Sequence, residues 1–102
     1  MEVKLQQHMR FAPEQPVSEI LHSCQDMRVI QFNLLPGQEI PSCTSSSSVC
    51  LQVVSGQGLL RCEDEWVPAE TGTIRFYPPG ETHGLRATTG PVSVLAILAP
   101  RP

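Results

Sequence analysis

An all-β sandwich or barrel is the fold class predicted for this chain, on three observations. Short runs rich in Val, Ile, Leu, Phe and Tyr recur at intervals of roughly ten residues. Ten prolines and seven glycines in 102 residues fall between those runs, where an all-β chain turns. Helical periodicity is absent, and Pro16–Cys24 is the only weak candidate for a helix.

Taken in order, the strands are expected at Ser18–Ser23 and Met27–Leu35, the second stopped by Pro36-Gly37. Thr44–Ser48 reads as a loop of small hydroxylic residues. Val49–Val54 and Gly58–Cys62 follow, joined by a turn at Ser55-Gly56-Gln57. Glu63-Asp64-Glu65 is a solvated turn, and Thr73–Tyr77 ends at Pro78-Pro79-Gly80. Thr82–Ala87 and Val92–Leu98 complete the set. Two of these runs, Val49–Val54 and Val92–Leu98, are apolar on both sides of the alternation, so the outward face needs a cover. A second subunit, giving a homodimer, is the favoured cover. The alternative is that the N-terminal segment 1–16 does the covering alone.

Composition bounds the rest. The length suits a single domain over 1–102, with 1–16 packed on the barrel or on a partner subunit. The net charge is −3 and Lys4 is the only lysine, which argues against nucleic acid, since phosphates call for clustered cations. The N-terminus has no apolar signal core, and no run approaches the roughly 18 apolar residues of a membrane span. A soluble, cytoplasmic protein without membrane partners is expected. Cys24, Cys43, Cys50 and Cys62 form no Cys-x-x-Cys pair and are expected as free thiols in a reducing compartment.

The motif with chemical content lies at 72–83, Gly-Thr-Ile-Arg-Phe-Tyr-Pro-Pro-Gly-Glu-Thr-His. Pro78 cannot donate to a ladder and stops a strand, Gly80 permits a tight reversal, and His83 re-enters at the start of the next strand. This resembles the second motif of the cupin family, Gly-x5-Pro-x-Gly-x2-His, at Gly72, Pro78, Gly80 and His83. The frame of the first cupin motif runs from Gly37 to Gly56, and the resemblance spans about 27–98. It implies a jelly-roll, or double-stranded β-helix, with a pocket between the sheets.

In the family, two histidines and a glutamate of the first motif join the motif-two histidine to hold a divalent metal. Here those first-motif positions carry Cys43, Ser45 and Val49, or Cys50 if the gap before the carboxylate is one residue longer. Only His83 survives, so no cofactor is expected by default. Cys43, set across the barrel from His83, could rebuild a zinc, iron, nickel or manganese site with it if Cys50 also faced inward. Strand alternation opposes that, since Val49 and Cys50 point to opposite faces. His83 is also a candidate catalytic acid–base, although no inward acid is evident to orient it: Glu39 precedes the loop and Glu81 sits in the turn.

The expected pocket lining is Cys43, Ser45, Val49, His83 and one of Phe76 and Tyr77. Trp66 is expected at a barrel end or interface. Arg28, Arg61, Arg75 and Arg86 lie on strands and face outward, and His8 and His22 have no local partners. The leading function is binding of an unspecified small molecule in the barrel. An oxygenase, isomerase or lyase built on His83 or on a Cys43/His83 metal site is the second. A structural or interaction protein acting through its dimer surface is the third.

Overall fold

The computed structural model describes every residue, Met1–Pro102, and contains seven strands with a single 3-10 turn at Leu5–His8. The strands are β1 (Val17–Ser23), β2 (Arg28–Leu34), β3 (Glu39–Cys43), β4 (Ser48–Cys62), β5 (Glu65–Glu70), β6 (Ile74–Tyr77) and β7 (His83–Ala99). Every strand pairing is antiparallel. The weak helical candidate, Pro16–Cys24, is β1: its β-branched residues and partner strand override a marginal helical pattern.

β4 and β7 are long, bent and paired to each other, and each serves two sheets. One sheet runs β1-β2-β7-β4-β6, using the C-terminal half of β7 and the N-terminal half of β4. The other runs β3-β7-β4-β5, using the opposite halves. The register slips between Val53 and Ser55 and again between Gly56 and Gly58, where β4 passes from one sheet to the other. Gly56 sits at φ +88, and a Cβ there would lie on the Pro91 carbonyl oxygen. The sequence reads this point as a turn between two strands. It is instead a bulge within one continuous strand, because β7 pairs with both halves of β4 and holds them in line. Val92–Leu98 and Thr82–Ala87 are likewise two halves of β7, with Thr88–Pro91 bulging out between them.

Two strands carry no clear signal in the sequence. β3 contains Pro41, and β5 contains Pro68 with few β-branched residues; both are edge strands, where a missing N–H costs little. The core between the sheets is built from Leu34, Val49, Leu51, Val53, Leu60, Tyr77 and Leu85, with Val92, Val94 and Ala96 of β7. At a conventional ~25 cal/mol per Å² of apolar surface, burying these side chains is the main term favouring the fold.

The outer face of β2 is polar yet sealed. Gln31 and Asn33 are both 0% exposed because residues 5–12 lie over them. Asn33 Nδ2 donates to the His8 carbonyl at 2.8 Å, Gln31 Nε2 to the Leu5 carbonyl at 3.2 Å, and Gln38 Nε2 to the Ala12 carbonyl at 2.7 Å. His8, expected without a partner, meets Glu19 at 2.8 Å. The outer face of β6 has no such cover: Phe76 is 74% exposed and Ile74 47%. No helix is long and apolar enough to cross a membrane.

Candidate functional site

A cavity of about 180 Å³ opens between the sheets, at the end bounded by β2, β3 and the starts of β4 and β7. Ile30, Phe32, Ile40, Val49, Leu51 and Leu98 form most of its wall, and no carboxylate, lysine or arginine lines it. The other end of the sandwich, around Val53, Leu60, Val92 and Val94, has no room for a water molecule. Two larger concavities, of about 400 and 390 Å³, are open surface grooves: one lined by Gln57, Glu70 and Thr88, the other by Cys50, Phe76 and Ile97. Only the inner cavity combines an apolar enclosure with a thiol and an imidazole in contact.

That pair is Cys43 and His83. The sequence places them on opposite walls of the barrel, but they are direct cross-strand neighbours on β3 and β7. Cys43 Sγ lies 3.4 Å from His83 Nε2. The alignment is due to a bulge: the β3–β7 register shifts between Ile40 and Cys43, so Ile40 and Cys43 both reach the cavity although an odd spacing of three residues would put them on opposite faces of a regular strand. Gly84 accommodates the bulge, since a Cβ there would stand 3.1 Å from Ser42 Oγ and 3.2 Å from its Cα. Cys43 is exposed at the mouth and His83 is half-buried behind it.

His83 has an orienting partner that no sequence pattern reveals. Its Nδ1 faces the backbone carbonyl of Glu81 at 3.4 Å. A carbonyl only accepts, so this contact favours the tautomer with the proton on Nδ1, in which the Nε2 lone pair faces the thiol. The Tyr77 ring packs beside the imidazole, with centroids 5.7 Å apart and planes tilted by 57°. Tyr77 is 1% exposed and its hydroxyl donates to the Arg61 carbonyl at 2.6 Å, spanning the sandwich. Burial pushes the Tyr77 hydroxyl up to about 12; Arg75 pulls it down, and Cys62 and Glu81 push it up.

Several expected lining residues lie elsewhere. Of the Phe76/Tyr77 pair neither lines the cavity: Tyr77, paired with Val49, turns into the core beside His83, while Phe76, paired with Cys50, lies on the outer face. Val49 is 4% exposed and lines the cavity, as the alternation requires. Ser45 does not line it. Its hydroxyl accepts from the Ser47 N–H at 3.1 Å and its carbonyl from the Gly80 N–H at 2.8 Å, which ties the loop to the turn before His83. Cys50 faces away, and burial pushes its thiol up. Arg86 is held by Glu39 at 2.8 Å and lies 4.1 Å from the Trp66 ring. Arg75 reaches Cys62 Sγ at 3.1 Å. All four cysteines are free.

A divalent metal in the manner of the resembled family does not fit these residues. Of the four ligand positions, Val49 offers no donor and Ser45 is engaged by backbone, leaving one sulfur and one nitrogen. No cluster of three His, Cys, Asp or Glu side chains is assembled, since Cys50, the third member of a rebuilt site, lies on the opposite face.

Comparison with known proteins agrees with the fold. No curated protein matches the sequence. The TT1209 structure from Thermus thermophilus superposes with a TM-score of 0.92 at 28% identity, covering 100% of both chains. An RmlC-like cupin from Desulfovibrio desulfuricans gives 0.82 at 29% identity, over 89% of this chain and 88% of that one. A double-stranded β-helix cupin from Methanocaldococcus jannaschii gives 0.77 at 21% identity, over 89% and 87%, which speaks to the fold alone. The model of the cupin domain matches residues 30–98, and with motif two at Gly72, Pro78, Gly80 and His83 this chain belongs to the cupin family.

Proposed function

We propose that this cupin binds a small, largely apolar molecule in the cavity between its sheets, without a resident metal. The observation that carries the reading is the lining: an apolar enclosure of about 180 Å³ with one thiol at its mouth and one imidazole behind it. An apolar cavity of roughly 150 Å³ takes up a benzene-sized guest, so the ligand is a ring or short chain of similar bulk. Its one polar atom would meet His83 or Cys43. A carboxylate or phosphate has no cationic partner on the wall and is disfavoured.

Cyclohexanone is the probe of choice, with a polyol of equal size as control. At about ten times its Kd, a ligand confined to the folded state adds about 1.4 kcal/mol, read as a higher urea midpoint. No shift up to the solubility limit of cyclohexanone overturns the reading. Elemental analysis after exposure to iron, zinc, nickel and manganese should give far less than one metal per chain. Stoichiometric metal that is lost on Cys43→Ser would contradict it.

Four free thiols suit a reducing compartment, and we place the protein in the cytoplasm. The bare Phe76–Ile74 face of β6, next to Cys50 and Ile97, is the surface on which a second copy would pack to form a homodimer.

A further inference from the structure

We propose that Cys43 is a nucleophile that captures small α,β-unsaturated carbonyl compounds as thioethers, with His83 carrying the proton. This rests on the cavity being the binding site and names the class of molecule it takes. Three observations support it. The Sγ–Nε2 separation of 3.4 Å is within reach of a sulfur hydrogen bond. The Glu81 carbonyl, 3.4 Å from Nδ1, favours the tautomer whose Nε2 accepts and orients the imidazole as a base requires. The thiol stands at the mouth of an apolar cavity with no charged group, where a conjugated carbonyl can enter and a hydrated polar electrophile gains nothing.

The step balances without another reactant. The Cys43 S–H proton passes to His83 Nε2, and the thiolate sulfur bonds to the β-carbon of the alkene. The alkene π pair moves to form an enolate, whose α-carbon then takes the proton back from Nε2. The sum is addition of S–H across C=C, with no leaving group and no change in the protein's redox state. Soft sulfur and the soft conjugate carbon are matched, whereas a saturated ketone offers only reversible binding.

The remaining cysteines are internal controls. Cys62 accepts from the Arg75 guanidinium away from the cavity, and Cys50 lies on the outer face. Neither Cys50, Cys62 nor Cys24 lines the cavity.

The test treats the intact protein with cyclohexenone and follows each cysteine by peptide mass spectrometry. Cys43 should react at least about tenfold faster than the other three, gaining the whole mass of the probe. His83→Gln should slow Cys43 by about tenfold or more and leave the others unchanged. Ala96→Leu, which fills the cavity floor and keeps the pair, should slow cyclohexenone but not iodoacetamide, and it keeps the test decisive even if His83→Gln unfolds. Reaction of Cys43 no faster than Cys24, or equal rates in wild type and both variants, would overturn the proposal. Cyclohexanone separates the two levels: a raised urea midpoint with no Cys43 adduct from cyclohexenone sinks only the covalent step, whereas no shift and no adduct sinks the binding reading as well.

Discussion

Filling the cavity should stabilise the protein and abolish binding together, and Ala96→Leu is the change that does both. Ala96 is 3% exposed, lines the cavity, and sits between Ile30 on β2 and Leu51 on β4. Leucine adds three carbons, each about the bulk of a water's ~30 Å³, so roughly half of the 180 Å³ is taken up. Burying three carbons at ~0.8 kcal/mol each gives about 2.4 kcal/mol. Fixing the side chain costs about 0.5–1 kcal/mol, leaving a net gain of about 1.5 kcal/mol. With a urea m-value of about 1–2 kcal/mol per molar for a small domain, the midpoint should rise by about 1 M. In the same variant, cyclohexanone should no longer raise the midpoint. The reasoning is refuted if Ala96→Leu destabilises by the ~1–3 kcal/mol typical of overpacking, or if the ligand shift survives.

Three further predictions test the frame around the site. Tyr77, the only tyrosine, holds its proton up to about 12 when folded, against about 10 unfolded. The folded state therefore binds more protons above pH 10, and its stability falls from there to pH 12. The loss is at most about 2.7 kcal/mol; tyrosinate absorbance rising near pH 10 with the fold intact would contradict this. Gly56→Ala must place a Cβ on the Pro91 carbonyl at φ +88, whereas Gly72 at φ +93 has open space around it. Gly56→Ala should cost at least the upper end of ~1–3 kcal/mol in urea unfolding and Gly72→Ala about 1 kcal/mol; equal costs would mean that the β4 bulge tolerates a side chain. Phe76→Glu should convert a dimer to monomers by light scattering, with the urea midpoint of the monomer little changed; a monomeric wild type would rule out the homodimer.

The sequence speaks clearly where one residue type meets one geometric need. Pro78, Gly80 and His83 are legible because a strand stop, a positive-φ turn and a re-entering strand each demand their residue. Val49 against Cys50 is legible from alternation alone. β3 and β5 are not, since edge position excuses their prolines from the ladder rule and only the tertiary pairing reveals it. The Cys43–His83 contact is hidden for a different reason. Alternation from Ile40 would send Ser42 inward, and the bulge that replaces it with Cys43 depends on Gly84 of a strand forty residues away. Ser45 fails as a lining residue because a hydroxyl in a serine loop finds a nearby backbone N–H before it finds a cavity. The orienting role of Glu81 rests on its carbonyl, which carries no side-chain signature.

Where a small apolar guest sits decides whether the inner cavity is the site, and nuclear Overhauser effects (NOEs) read that position. With isotope-labelled protein saturated with cyclohexanone, intermolecular NOEs should connect the guest to the side chains of Ile30, Val49, Leu51 and Leu98, and to His83. NOEs confined to Phe76 and Ile97, or to Gln57 and Thr88, would move the site to an outer groove and contradict binding between the sheets.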